Sequence, residues 1–172
     1  MFSLPIQDLL ARAIFTESQP FKHGEQNVVL WVVVNRLFTD KNFTYGNPQT
    51  LYNVLYYGGW ESLTANGPAY SPPTETSSEA QIAGWNNAKR LAATLVAIIK
   101  STAQNVEADT DTKNIEKSNL NEDLVRRLLS SQFDSEGNFI TNPIGTRDSF
   151  LGYNSNREGD LQINGGNHFY WY

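Results

Sequence analysis

The sequence predicts a mainly helical α+β fold, one domain over residues 1–172, with a small β or extended-loop element near the C-terminus. Three observations predict it. Apolar residues recur at helical spacing through the first hundred positions. Polar residues of helix-capping type stand ahead of two of the later stretches. Beyond Phe133 the helical pattern gives way to recurring Gly and Asn with short extended pieces. At 172 residues the chain has the length of one ordinary domain, long enough to bury a core without a covalent staple.

Residues 6–17 read as the first helix: Ile6, Leu9, Leu10, Ala13 and Ile14 form the stripe, Pro5 suits the first turn, and Gln19-Pro20 ends the segment. Residues 25–38 are the most apolar stretch. The run Val28 to Val34 favours a strand by local preference, but its length and the flanking Glu25, Gln26, Asn35 and Arg36 fit a buried helix of about three to four turns. The reading adopted is a helix at the centre of the core. Leu51 to Tyr57 is a short helix stopped by Gly58-Gly59, and residues 60–76 form a polar loop. Thr76-x-x-Glu79 is a capping box for a long helix reaching about Ser101. Residues 102–118 are polar and read as exposed, and Asn119-x-x-Glu122 caps a further helix through Leu129. Extended pieces are expected at 138–141, 149–153 and 168–172, and no repeat or domain boundary is visible.

Composition excludes several functions. Hydrophobic residues make up 40% and charged residues 18%, which is globular composition. A formal charge of -5, with no basic run, argues against nucleic acid and against an anionic membrane surface as partner. Cysteine is absent, so disulfides, thiolate metal sites and a cysteine nucleophile are ruled out. Two histidines, His23 and His168, leave little for a metal site, and no metal or other cofactor is expected. No run of 18 apolar residues suggests membrane insertion. No signal peptide is visible, because Gln7 and Asp8 interrupt the N-terminal apolar stretch.

Glu17 is the most informative residue. On a helix it lies above Ala13 and Ile14 and two turns above Leu10, on the stripe that must face the core. A carboxyl group at the core's edge loses hydration, which favours its neutral form. A general acid for glycosidic cleavage needs that property. The plain structural alternative is a carboxylate reaching solvent from a fraying helix end.

Ala11-Arg12-Ala13-Ile14-Phe15-Thr16-Glu17 resembles the opening motif of the SleB-type cell wall hydrolases, the spore-cortex-lytic family. Trp31 to Arg36, following Gln26, is similar to that family's apolar helix ending in V-V-x-N-R. Leu51 to Tyr56 is similar to its next helix, Asn142-Pro143-Ile144-Gly145 with Phe150 to its D-P-T-G-G stretch, and Gly166-Asn167-His168-Phe169-Tyr170 to its closing segment. The matches run in the family's order from residue 9 to residue 170. The resemblance implies a lysozyme-like fold acting on peptidoglycan, with Glu17 at the position of the essential acid. The chain departs from the pattern in places. Glu25 replaces a glycine, Ser149 stands where the family often has His, the QF element is not evident, and residues 100–141 look like an insertion.

Asn167 and His168, after Gly165-Gly166, suit a sugar hydroxyl or an N-acetyl group, or else pin the C-terminal strand. With Ser149 and Tyr170 from the family match, and Tyr70 and Tyr153 as the better aromatic platforms, they form the expected substrate-binding set. Trp60 and Trp85 are weaker platform candidates, and His23 reads as a solvated loop residue.

The expected function is cleavage of peptidoglycan glycan strands, as a lytic transglycosylase or a muramidase. Protonated Glu17 gives its proton to the glycosidic oxygen, and the sugar cation is closed by the muramic C6 hydroxyl or by water. Closure by the hydroxyl needs no second carboxylate; Asp148, Glu158 and Asp160 remain candidates for closure by water. Two rivals stand: a metal-dependent muramoyl-alanine amidase, and a non-catalytic wall-binding or phage assembly protein on the same fold. The settings these readings suggest are a phage lysin, a virion component or a secreted effector, made in the cytoplasm and delivered to the wall, with phage-particle or secretion-apparatus components as further partners.

Overall fold

Pro5 starts the first helix from just outside it. In the computed structural model its carbonyl accepts from the Asp8 and Leu9 N–H groups at 2.9 and 3.1 Å, and α1 runs from Ile6 to Glu17. The structure describes residues 4–18, 23–39, 48–58, 60, 63, 72–147, 149–151, 161–162 and 168–170, the strand residues by their backbone. Four further helices follow: α2 His23–Phe38, α3 Leu51–Tyr57, α4 Glu79–Thr102 and α5 Glu122–Ser130. The molecule is mainly helical, and among the described residues no helix is long and apolar enough to cross a membrane.

The Val28 to Val34 run is helical and buried throughout. Its β-branched residues are held in a helix because α2 is enclosed by the other elements, and packing there outweighs local preference. It begins two residues earlier than the apolar pattern suggests. Helix α4, about 36 Å long at 1.5 Å per residue for its 24 residues, is the longest element. It lies against α1 most extensively and also against α2 and α5. Gly84, Asn87, Ala88, Leu91, Ala92 and Leu95 form its buried stripe. Truncating a buried leucine such as Leu91 costs about 2–5 kcal/mol.

Two caps differ from the sequence expectation by two residues each. Ser78, not Thr76, caps α4: Ser78 Oγ accepts from the Gln81 N–H at 3.3 Å, and Gln81 Oε1 accepts from the Ser78 N–H at 2.9 Å. Asn121, not Asn119, caps α5 through Oδ1, which accepts the Leu124 N–H at 2.9 Å. Asn119 instead ends a 3-10 turn over Lys117–Asn119, and its carbonyl accepts from the Gln104 N–H.

The segment 102–118 is also less exposed than its polarity suggests. Thr112 and Ile115 are buried, Glu116 bridges to Thr50, and the Lys117 N–H donates to Gln49 O at 2.7 Å. Further along, Val125, Leu129, Ile140 and Ile144 all enter the core.

Phe133 and Phe139 pair across a tight turn in which Gly137 takes a φ of 83°, a conformation open to glycine. Towards the C-terminus, β1 Ser149–Leu151, β2 Leu161–Gln162 and β3 His168–Tyr170 form an antiparallel sheet in the order β1-β3-β2.

Candidate functional site

Glu17 is the last residue of α1, and its setting follows from the helix it terminates. Leu9, Leu10, Ala11, Ala13, Ile14 and Phe15 are all buried, so α1 is enclosed over more of its circumference than a single stripe. The turn after it is tied down locally. The Ser18 N–H donates to Ile14 O at 3.3 Å, Ser18 Oγ donates to Phe15 O at 3.1 Å, and Thr16 Oγ1 donates to Arg12 O. The two Ser18 bonds satisfy orphan carbonyls at the helix terminus, and with the Thr16 bond they hold Glu17 between two fixed neighbours. The Glu17 side chain is half-buried, and its Oε1 is shut off from solvent. A fraying end with a carboxylate in bulk water does not describe this geometry.

The aromatic neighbour of this terminus is Trp85 on α4. Its ring meets Phe15 edge to face, centroids 5.6 Å apart, and the side chain keeps part of its surface exposed. Trp60, the other tryptophan considered as a sugar platform, is not available for one. It is 2% exposed, its Nε1 donates to Val54 O at 3.1 Å, and the Arg36 guanidinium lies 4.4 Å above its ring centre.

Beside these residues runs a buried polar ladder that sequence reasoning missed. Gln26 Nε2 donates to Gly84 O at 3.0 Å and Asn87 Nδ2 donates to Gln26 Oε1 at 2.8 Å. Asn87 Oδ1 then accepts the Ser135 N–H at 2.9 Å, joining α2, α4 and the 133–139 turn. Asn87 falls at helical spacing with Gly84, Ala88 and Leu91, and that placement is the sequence feature by which it was findable.

Other residues of the family-like segments serve the framework. Asn35 Nδ2 donates to Gly145 O and Arg147 O at 3.0 and 2.6 Å, and its Oδ1 accepts from Arg126 at 2.8 Å. Arg36 donates to Gly58 O at 2.7 Å. A Cβ on Gly58 would collide with Trp60 Nε1 and the Val54 carbonyl, so this helix end has room only for glycine. Asn142 closes its own turn, with Nδ2 donating to Gly145 O at 2.9 Å and Oδ1 accepting from the Ile144 N–H at 3.2 Å.

Of the expected substrate-binding set, Ser149, His168 and Tyr170 share the sheet. Ser149 pairs with Tyr170, and His168 pairs with Leu151 on one side and Gln162 on the other. Tyr70, Tyr153 and Asn167 lie outside the described residues, as do Asp148, Glu158 and Asp160. Among the described residues no three His, Cys, Asp or Glu side chains converge as a metal site would require.

No protein-family model matches the chain, and no curated protein or solved structure matches it.

Proposed function

We propose that the protein cleaves the glycan strands of peptidoglycan, with Glu17 as general acid. The observation that carries this reading is the enclosed Oε1 of a half-buried glutamate at the end of α1. Two physical effects favour its protonated form. Withdrawal from water penalises the charged carboxylate. The C-terminal end of a helix carries partial negative charge, which opposes a second negative charge there; the last turn, Ile14 to Glu17, holds no basic residue to offset it. Trp85, partly exposed beside Phe15, offers a face against which a pyranose ring packs. The likeness of residues 11–17 to the cell-wall-hydrolase motif names the substrate class.

In this mechanism Glu17 protonates the oxygen bridging N-acetylmuramic acid to N-acetylglucosamine, and the bond from the muramic C1 to that oxygen breaks. The C6 hydroxyl of the same muramic residue then closes on C1, returning its proton to the Glu17 carboxylate and leaving a 1,6-anhydro end. This route uses one carboxyl group throughout. Asp134, a buried carboxylate of the described region, is committed to the backbone of its own turn, with Oδ1 accepting the Glu136 and Asn138 N–H groups at 2.9 and 3.0 Å.

The test is digestion of purified peptidoglycan by the wild type and by Glu17→Gln, with the products weighed by mass spectrometry. Anhydro-muropeptides from the wild type and none from the variant are expected. Reducing muropeptides would convert the assignment to a muramidase, and free stem peptides would replace it with an amidase. Equal digestion by both proteins would remove Glu17 from the chemistry.

A further inference from the structure

Away from the α1 terminus, α2 buries a line of polar groups that its apolar sequence does not announce. Asn27, Trp31 and Asn35 stand four residues apart, so they share one face of the helix. Asn35 is fully engaged by the loop at 145–147 and by Arg126. The other two are not. Asn27 is 8% exposed and Trp31 1% exposed, and among the described residues both Asn27 Oδ1 and Trp31 Nε1 are closed to solvent without a hydrogen-bond partner.

Asp134 lies against the same face and is 3% exposed. Its Oδ1 is saturated by the turn, but its Oδ2 has only long amide contacts, 3.4 Å to Asn27 Nδ2 and 3.5 Å to Asn138 Nδ2.

A buried polar atom left unmatched loses its hydration without compensation. Two of them one helical turn apart call for a shared partner. Turning the Asn27 amide over would not supply one, because it would set the amide oxygen against the Asp134 carboxylate. The three atoms present one N–H donor, one amide acceptor and one carboxylate acceptor. A water molecule offers the complement: two O–H donors and lone pairs to receive the indole N–H. A bare cation is a poor match, since the indole would turn its positive hydrogen towards it.

We propose that a single buried water sits between α2 and the 133–139 turn, accepting from Trp31 Nε1 and donating to Asn27 Oδ1 and Asp134 Oδ2. It fastens to the core the turn that displays Phe133 and Phe139. Those rings lie 4.4 Å apart, tilted at 31°, and are 42% and 55% exposed.

Nuclear magnetic resonance on the full-length, 15N-labelled chain tests this directly. The chain has four tryptophans. Single Phe substitutions at Trp60, Trp85 and Trp171 identify three indole resonances and leave the Trp31 resonance assigned with its site intact. Trp60 is the internal control, because it is equally buried and its Nε1 already donates to Val54 O at 3.1 Å. A cross-peak between the Trp31 indole proton and a long-lived water, absent from Trp60, is the expected result. No water cross-peak at Trp31, or equal cross-peaks at both indoles, would overturn the proposal. In a high-resolution crystal structure, ordered solvent within hydrogen-bonding distance of all three atoms would support it. A direct bond from Trp31 Nε1 to a protein oxygen would overturn it.

Discussion

Helices α1 and α2 both carry polar residues of the motif-like segments in their last turns, and the two ends are used in different ways. At the end of α2, Asn35 and Arg36 are consumed by the framework: every polar atom of the Asn35 side chain is bonded to the 145–147 loop or to Arg126, and Arg36 reaches Gly58 and Trp60. At the end of α1, the neighbours of Glu17 satisfy their own helix, and the half-buried Glu17 side chain has one carboxyl oxygen enclosed. A polar residue inside a motif is thus as much a candidate for holding loops together as for chemistry.

The largest expected effect follows from that contrast. Glu17→Gln keeps the shape and removes the transferable proton, so glycan cleavage should fall by about 100-fold or more, measured as release of muropeptides. Its melting temperature should stay close to that of the wild type. Asn35→Ala should do the reverse. Losing three hydrogen bonds and leaving Arg126 half-buried without its amide partner should lower stability by about 2–4 kcal/mol, read from urea unfolding, while cleavage persists well below the melting point. If Asn35→Ala abolished activity in a fully folded protein, the division between the two helix ends would fail.

Smaller effects sharpen the picture. Gln26→Leu and Asn87→Leu should each cost about 1–3 kcal/mol, because each orphans the other's buried amide. The double variant should cost less than the sum of the two, a coupling that a double-mutant cycle measures directly. Glu122→Gln should be the mildest. Its ion pair with Arg126, 2.7 Å long, joins side chains that keep 44% and 21% of their surface in solvent. Its loss should cost about 0.5 kcal/mol or less.

The sequence carried the helical elements well where an apolar stripe recurs at helical spacing. The spans 6–17 and 51–57 are legible to the residue, since their apolar positions leave no second register. Caps were less legible. Thr76 and Ser78 both stand three residues before a Glu or Gln, and the choice between them depends on which turn of α4 first meets the core. Asn119 and Asn121 compete in the same way, and a hydrogen bond from distant Gln104 takes Asn119 out of the contest.

The buried ladder of Gln26 and Asn87 and the burial of Ile115 depend on partners about 60 residues away, which no local window contains. Glu17 is the intermediate case. Its helical position is readable, and the enclosure of one oxygen is decided by the packing around α1. The fate of Trp60 shows the limit of composition: an aromatic residue in a polar stretch suggests a platform, yet this one is sealed beneath Arg36.

Residues 100–141 have one more consequence, for anyone trimming the protein. Ile115, Val125, Leu129 and Ile140 plug into the central cluster, and Asn121 and Asp134 organise their own turns to deliver them. Although it looks like a detachable decoration in the linear chain, the stretch is the lid on one side of the hydrophobic interior. Excising it to make a shorter chain would uncover α2 and α4 together, and the shortened product should precipitate.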